Sequence, residues 1–311
     1  MHITAGIFGN TEILNELGKK GTENDMLIYN HASSEGVFTY VAVNNDGKQN
    51  IPYRIQTLMQ VIGMIDIPVL IISELSKNVA EQIVALEAYN FEKGILVLDG
   101  VDESQVMQLL KNTPIAKYER IDNDPVKIKE KLKKMTPVHA EKPVACPIDT
   151  YFSVKSVGVV ILGIMKSGKL KKFDRLQIMP LGKEISIKGI QSQDKNFDFT
   201  EEGMRVGLNL KNIEVEELKR GQIITDGMKK SKEFLLNFKI SPFFKEPLQK
   251  GQQIFISIGL QVSTATIKEI SGAEISLITE HELAFLPNDK FLLASTTEKM
   301  PRIIGGGIIL H

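Results

Sequence analysis

The chain has 311 residues, of which 42% are apolar and 24% are charged, and its 38 basic and 38 acidic side chains give a formal net charge of zero. This length suits two or three domains rather than one, and the composition excludes a disordered chain. A net charge of zero excludes a global attraction to nucleic acid, so any RNA contact has to come from a local patch.

The first 135 residues alternate between strand and helix patterns. Strands are predicted at residues 2–8, 26–29, 37–43, 68–72, 94–98 and 115–119. Helices are predicted at residues 11–17, 51–64, 77–89, 102–110 and 125–134, with Ser76 as a cap. Strands that alternate with helices indicate a mostly parallel sheet that is covered on both faces.

The pattern changes near residue 136, where Pro137, Pro143 and Pro147 indicate a linker. Short strands separated by turns follow, and they predict a β-barrel. A second barrel is predicted after the turn at Asp226-Gly227. The predicted strands are residues 148–154, 157–165, 175–179, 185–193 and 205–210, and then 232–240, 253–258, 261–270, 274–279, 290–294 and 302–309.

Two further features concern the environment of the protein. Residues 1–8 reach an apolar stretch without a basic leader, and no apolar run approaches the ~20 residues that a membrane span needs. Cys146 is the only cysteine, so we expect a buried thiol in a reducing compartment rather than a nucleophile. We therefore expect a cytoplasmic protein without a membrane partner.

The stretch from Pro147 to Ile224 carries many ordered landmarks, with glycines where a small barrel needs tight turns. In order they read PID at 147–149, FSVK at 152–155, LG at 162–163, SG at 167–168, PLGK at 180–183, IKGIQ at 187–191, EGMRVG at 202–207 and KRG at 219–221. This series resembles the second domain of translational GTPases, and most closely that of the selenocysteine-specific elongation factor.

The resemblance implies the fold of the whole chain. Residues 1–137 are expected to form a degenerate α/β domain of the P-loop GTPase type. Residues 143–228 would be the domain 2 β-barrel of translation factors, and residues 229–311 a barrel like their domain 3. The ending at 302–307 resembles the last strand of that third domain.

The phosphate loop of the family would follow the first strand. Gly6-Ile7-Phe8-Gly9 resembles its opening, which the family continues through a Gly-Lys-Ser/Thr. Here the helical pattern of residues 11–17 follows almost directly, as if the loop had been cut out. The backbone cradle and the lysine charge that hold phosphates are therefore expected to be missing.

The magnesium-side motif of the family is Asp-x-x-Gly after the third strand. Asn44-Asn45-Asp46-Gly47 occupies the matching place, so Gly47 is retained while Asn44 replaces the carboxylate. Lys48 stands where elongation factors carry their catalytic histidine. A protonated lysine has no acceptor with which to orient a water molecule.

The guanine motif Asn-Lys-x-Asp is altered in the same way. Asp99-Gly100-Val101-Asp102 stands in its place, so Asp102 is retained while Asp99 replaces the asparagine and the lysine is lost. Because all three motifs fail together, we expect no catalytic residue, no metal site, and the loss of GTP and magnesium as cofactors. The protein would then not be an enzyme.

Three residues of the second domain match the family's surface for the aminoacyl end of tRNA. They are Asp149, Phe152 and Arg205, although Thr150 departs from the arginine that the resemblance implies. The alternative for Asp149 and Arg205 is an ion pair on the barrel surface, worth about 0–1 kcal/mol.

A basic cluster is predicted over a hairpin of the same domain. Its members are Lys169, Lys171 and Lys172, flanked by Lys166 and Arg175. Such a cluster can contact RNA phosphates, and the alternative is a solvated lysine-rich loop.

These features predict a pseudo-GTPase related to translation elongation factors. Its expected partners are tRNA, the ribosome or another translation factor, and not DNA. Two alternatives stay open. One is an active elongation factor that binds and hydrolyses GTP at a rearranged site near Asp46 and Asp102, and the other is a regulatory scaffold that binds only protein.

Overall fold

The computed structural model describes residues 2–33, 36–44, 54–135 and 142–311. It consists of an α/β domain followed by two β-barrels, which confirms the predicted fold class. None of the helices within these ranges is long and apolar enough to cross a membrane.

The first domain contains a seven-stranded, mostly parallel sheet. Its strands are β1 (His2–Gly9), β2 (Lys19–Glu23), β3 (Met26–Ser33), β4 (Gly36–Val43), β5 (Ile67–Ile72), β6 (Ile95–Leu98) and β7 (Glu119–Arg120). Their order is β2-β3-β4-β1-β5-β6-β7. Within this order, the adjacent strands β4, β1, β5, β6 and β7 are parallel to one another. Strand β3 is antiparallel to both β2 and β4.

Five α-helices in the described part of the domain cover this sheet. They are α1 (Leu14–Leu17), α2 (Ile55–Met64), α3 (Lys77–Tyr89), α4 (Glu103–Leu110) and α5 (Pro125–Lys134). The apolar sides of α2, α3 and α4 pack on one face of the sheet, and those of α1 and α5 pack on the other. Both faces are therefore buried, as a parallel sheet requires.

Capping residues explain where three of the helices begin. The Ser76 hydroxyl accepts a hydrogen bond from the Val79 N–H, so α3 begins after Ser76 as predicted. The carboxylates of Asp102 and Asp124 accept N–H groups of the first turns of α4 and α5. The sequence pattern placed these starts correctly to within one residue.

Two predicted elements of the first domain are wrong. The helix expected at residues 11–17 has only one turn, because the Glu12 N–H donates to Asn10 Oδ1 and the chain turns before α1 starts. The strand expected at 115–119 is instead a 3₁₀-helix, Pro114–Lys117, and only the short β7 follows it. Proline at its first position fixes the backbone angle that starts this turn.

The second domain is a barrel. Its strands are β8 (Ala145–Val154), β9 (Gly158–Ile164), β10 (Arg175–Met179), β11 (Lys183–Ser192), β12 (Lys195–Phe197), β13 (Arg205–Lys211) and β14 (Ile223–Thr225), with a 3₁₀-helix at Val215–Glu217. The order is β10-β14-β8-β9-β13-β11-β12, and pairing between β10 and β11 closes the barrel. Its core is almost entirely aliphatic and includes the buried Cys146.

The third domain is a closed six-stranded barrel. Its strands are β15 (Lys229–Ile240), β16 (Gln253–Ile258), β17 (Gln261–Ser271), β18 (Glu274–Phe285), β19 (Lys290–Ser295) and β20 (Ile303–Ile309), in the order β15-β18-β17-β16-β19-β20. Buried residues alternate with more exposed ones along much of β17 and β18, and the buried apolar side chains fill the interior of the barrel.

The first and third domains meet along α3 and β20. The buried carboxylate of Glu81 accepts hydrogen bonds from the Arg302 side chain and from the backbone N–H groups of Arg302 and Ile303. A Cβ atom on Gly306 would lie 2.5 Å from the Ala88 carbonyl oxygen, so only glycine allows this approach. Apolar residues of both domains belong to one continuous core here.

The first domain also contacts the second barrel through polar groups. Arg220 Nη1 lies 2.8 and 2.9 Å from the two carboxylate oxygens of Asp25, and Lys166 pairs with Asp66. His2, at the start of β1, lies 3.2 Å from a carboxylate oxygen of Glu201. Ile164 of this barrel adds an apolar contact, because it belongs to the same core cluster as residues of the first domain.

Candidate functional site

The end of β1 holds the two glycines of the expected phosphate loop. Gly9 has a φ of +76°, and a Cβ atom there would lie 1.9 Å from the Ile71 carbonyl oxygen. The Gly9 N–H donates to Gln82 Oε1 at 2.7 Å. A Cβ on Gly6 would approach Ile65 Cδ1 to 2.6 Å. Both glycines thus serve close packing within the first domain.

The backbone directly after Gly9 also forms contacts within the first domain. The Asn10 N–H donates to the Ile71 carbonyl oxygen at 2.9 Å, and α1 then buries Leu14 and Leu17. A phosphate-binding loop needs several free N–H groups that point at one place, together with a lysine. Among the described residues at this end of β1, the Gly9 and Asn10 N–H groups already donate within the first domain, and residues 9–17 contain no lysine.

The motif that would bind magnesium lies partly outside the described residues. Asp46, Gly47 and Lys48 are not among them. Asn44 itself is buried, and its side-chain amide donates to the Asn24 carbonyl oxygen at 2.7 Å. Its backbone N–H donates to the Asp25 carbonyl oxygen. Asn44 therefore ties the end of β4 to the β2–β3 turn.

Asp99 and Asp102 lie after β6, where a guanine motif would stand. Asp99 accepts a hydrogen bond from the Asn123 side chain at 2.8 Å. Asp102 caps α4, and hydrogen bonds from the Ser104 hydroxyl and the backbone of Gln105 and Ser104 lower the pKa of its carboxyl group. Both carboxylates have local structural partners in this loop.

A cleft of about 720 Å³ lies between the first domain and the second barrel. The β2–β3 edge of the first domain forms one wall, and β9, β11 and β13 of the barrel form the other. From the first domain it is lined by Lys19, Lys20, Gly21, Thr22 and Asn30. From the barrel it is lined by Phe152, Val154, Val157, Val160, Leu162, Lys172, residues 188–194, Asn196, residues 205–207 and Asn209.

The charges around this cleft are mostly positive. Lys19 and Lys20 come from β2, and Lys188 and Lys172 come from the barrel, while Asp194 is the only acid among the described lining residues. Lys20 pairs with Glu23 outside the cleft, and that hydrogen bond raises its pKa. Because lysines dominate both walls, the cleft suits an anionic ligand.

The polar and apolar parts of the cleft are interleaved. Phe152, which the sequence analysis singled out, is partly exposed on the barrel wall. Amide side chains are present at Gln191, Gln193 and Asn209. Amides offer both donors and acceptors, and a phenyl ring offers a flat apolar surface.

The structure brings Asp149 and Arg205 together as a buried bidentate pair. Arg205 Nη1 and Nη2 lie 2.6 and 3.0 Å from the two carboxylate oxygens of Asp149, and the side chains are 8% and 2% exposed. The interpretation as a surface ion pair is therefore wrong. Only Arg205 reaches the cleft lining, so the pair supports the barrel wall from behind.

The basic cluster has a different setting from the predicted hairpin. Its lysines lie in the loop between β9 and β10, which pair with other strands and not with each other. Lys169 and Lys171 are exposed, whereas Lys172 lies 2.8 Å from Asp198 and lines the cleft. Only one of the three predicted lysines therefore reaches the cleft.

Sequence reasoning missed Lys19, Lys20 and Lys188. Strand β2, which carries the first two, is polar at nearly every position, so it gives no apolar periodicity. Its position at a free sheet edge is the signal that would have indicated a binding role.

Comparisons with known proteins agree with this architecture. The sequence profile of elongation factor Tu domain 2 matches residues 158–225. The chain is 33% identical over 312 residues to an uncharacterized protein of Methanocaldococcus jannaschii, and the alignment covers 98% of each. It is 35% identical over 142 residues to the selenocysteine-specific elongation factor of that organism, covering 43% of this chain and 30% of that protein.

A solved structure extends the similarity to the whole fold. Translation elongation factor SelB from Methanococcus maripaludis, in complex with the GTP analogue GppNHp, superposes on 100% of this chain and 79% of its own, with a TM-score of 0.79. The sequence identity is 18%, so this likeness concerns the three-domain fold alone.

Proposed function

The chain belongs to the translational GTPase superfamily, and from this premise we propose that it is a pseudo-GTPase that binds tRNA in the cleft. This proposal rests on one observation, which is that the described residues lining this cleft of about 720 Å³ include four lysines and a single acid. Its volume lies within the usual range for ligand sites, about 300–1,000 Å³.

The chemistry of the lining favours RNA over a small anion. Lysines contact phosphates without reading sequence, whereas Gln191, Gln193 and Asn209 can bond to base edges and to ribose hydroxyls. Phe152 offers a ring on which an unpaired base can stack. A single-stranded end of RNA presents all of these groups at once.

We also propose that the binding of tRNA does not depend on GTP. The Gly9 and Asn10 N–H groups already donate within the first domain, and Asn44 donates to a backbone carbonyl. Micromolar GTP binding requires about 8 kcal/mol of free energy, and here the backbone N–H groups of Gly9 and Asn10 already donate elsewhere and no phosphate-loop lysine follows them. Calorimetry with GTP and magnesium is therefore expected to give no heat of binding, and a micromolar constant would favour an active GTPase.

The RNA contact is tested by anisotropy of labelled tRNA at several salt concentrations between about 50 and 200 mM. Lys19→Ala, Lys20→Ala and Lys188→Ala are expected to weaken binding, and each of these changes that removes a lysine–phosphate pair lowers the salt slope by about one. Removing the unpaired 3′ nucleotides of the tRNA should have a similar effect.

The matched controls are Lys232→Ala and Lys250→Ala, which remove exposed lysines of the third domain. If they weaken binding as much as the cleft variants do, the contact is not in the cleft. If the wild-type chain binds no tRNA at low salt, the proposal fails and a protein-binding scaffold is favoured instead.

A further inference from the structure

One end of the second barrel exposes three phenylalanine side chains, which we name the phenylalanine patch. Phe173 is 78% exposed, Phe199 is 50% exposed and Phe197 is 37% exposed. Phenyl rings bury large areas when a protein folds, so a group of exposed rings marks a place of contact with another molecule.

Backbone contacts bring these residues to the same end of the barrel. Phe173 lies in the loop between β9 and β10, and Phe197 ends β12. Lys171 forms an antiparallel bridge with Phe199, and the Lys172 N–H donates to the Asp198 carbonyl oxygen at 3.0 Å. The loop and the strand therefore run side by side through the patch.

Phe173 is held in an unfavourable backbone conformation. Its φ is +73°, a region in which bulky residues are rare and glycine is favoured. Its N–H donates to the Ile187 carbonyl oxygen at 2.8 Å, so the barrel fixes this conformation independently of the ring. The ring itself contributes little to the core, because most of it is exposed. A strained residue with an exposed ring indicates a functional role.

The surroundings of the patch are basic. Residues 169–175 and 195–199 contain five basic and two acidic side chains, a net charge of +3 in a chain whose formal net charge is zero. Neither Lys169 nor Lys171 has an ionic partner among the described residues. Interfaces for folded proteins are depleted of lysine at their centre, whereas RNA needs cations beside the aromatic rings.

The patch and the cleft are formed in part by the same two segments of the chain. Lys172 and Asn196 line the cleft, and each directly precedes a member of the patch, Phe173 and Phe197. A strand of RNA that leaves the cleft past Lys172 therefore meets phenyl rings and free lysines next.

We propose that the phenylalanine patch is a base-stacking platform for single-stranded RNA, on which unpaired bases stack while Lys169 and Lys171 contact phosphates. This combination of aromatic faces and cations is the general chemistry of single-strand binding. The inference deepens the proposed function, because it gives the RNA held in the cleft a second and separate contact.

The chain contains no tryptophan, so Phe173→Trp introduces a unique fluorescent reporter at the patch. The probe is a circular oligouridylate of about ten nucleotides, within the usual site size, which has no end to enter the cleft. Quenching of the tryptophan by this circle, and not by an RNA duplex of the same length, is the expected result. Absence of quenching at low salt would overturn the proposal.

Affinity measurements complete the test. Phe173→Ala and Phe199→Ala are each expected to weaken binding of the circle about tenfold, which is typical of the removal of one base–aromatic stack, whereas Phe173→Tyr keeps the affinity. The matched control is Leu181→Ala, which removes an exposed apolar side chain beyond the other end of β10. Wild-type affinity in both alanine variants would overturn the proposal and leave the patch to a protein partner.

The two proposals fail separately. Lys19→Ala and Lys20→Ala should weaken tRNA binding but leave binding of the circle unchanged. If these variants bind tRNA like the wild type while the circle still quenches the tryptophan of the Phe173→Trp variant, the stacking platform stands and the cleft proposal falls. If tRNA binding depends on the cleft lysines but the circle does not bind, the cleft stands and the platform falls.

Discussion

Two carboxylate–arginine pairs cross from the first domain to the barrels, in different surroundings. Glu81 and Arg302 join α3 to the third domain with 0% and 6% of their side chains exposed. Asp25 and Arg220 join the first domain to the second barrel with 29% and 26% exposed. The same kind of ion pair is fully buried at one interface and partly exposed to solvent at the other.

Glycines allow close backbone approach at both interfaces, at Gly63 and Gly306 between the first and third domains and at Gly203 between the first domain and the second barrel. The open cleft of about 720 Å³ lies between the first domain and the second barrel. Tight burial of a charge pair suits a permanent joint, and a solvated cleft suits a ligand. The charge pair to the third domain is therefore the more buried of the two, and the second barrel lines the cleft that it shares with the first domain.

The largest expected effect comes from Glu81→Ala. It leaves the buried Arg302 guanidinium and two backbone N–H groups without the carboxylate that they share, so we expect a loss of about 3–5 kcal/mol in the free energy of unfolding. Urea unfolding followed by circular dichroism measures this loss. The control is Glu298→Ala, which removes a 95% exposed carboxylate from the same arginine. Equal effects of the two changes would contradict a buried joint.

A smaller effect is expected at Gly63, inside α2. In an exposed helix, glycine to alanine stabilises by about 0.5–1 kcal/mol. Here the new Cβ would lie 2.1 Å from the Gly259 carbonyl oxygen of the third domain, so we expect a destabilisation of about 1–3 kcal/mol instead. Thermal unfolding gives the sign directly. The control is Gly189→Ala, where the nearest atom lies at 3.8 Å, and a stabilised Gly63→Ala variant would show that the domains do not touch there.

Asp25→Asn tests the more exposed counterpart of Glu81, because it removes the charge and keeps an acceptor for the buried Thr57 hydroxyl. Arg220 keeps its hydrogen bond to the Asp149 carbonyl oxygen and is partly exposed, so the expected loss of unfolding free energy is only about 1 kcal/mol. The effect should shrink as salt is added, because solvated charge pairs are screened. The free energy of unfolding of the Glu81 and Asp25 variants is therefore measured at low and at high salt. A larger effect of salt on the Glu81→Ala variant would contradict the assignment of Glu81 to the buried interface.

The smallest effect concerns pH at the contact between His2 and the second barrel. Burial lowers the pKa of His2 below its ordinary value of 6.5, and Glu201 only partly opposes this. The folded chain therefore binds the proton less tightly than the unfolded chain, and stability is lost as pH falls below about 6.5. His2→Gln should reduce this loss, whereas His281→Gln, at an exposed site, should not. Unfolding curves at pH values of about 7.5 and about 5.5 decide this.

Strong apolar patterns made much of the fold predictable. The bounds of β10 and β16 agree with the predicted residues 175–179 and 253–258, because alternating burial gives each strand a clear period. Strand β2 was missed because four of its five residues are exposed, so only pairing with β3 makes it a strand. The predicted strand at 115–119 failed because Pro114 starts a 3₁₀ turn there.

The candidate site was predictable only in part. Resemblance selected Phe152 and Arg205, which both line the cleft, but it could not show that the Asp149–Arg205 pair is buried. The cleft brings residues 19–22 next to residues 188–196, and that proximity depends on how two domains pack. No local period in the sequence carries such information.

The buried thiol of Cys146 gives the second barrel a chemical label of its own. Burial in the barrel core raises its pKa to about 12, so it does not ionise near neutral pH and stays out of reach of alkylating reagents. As Cys146 is the only cysteine in the chain, alkylation occurs only when this barrel opens. The rate of that reaction therefore reports the opening free energy of one domain among three, without any engineered probe.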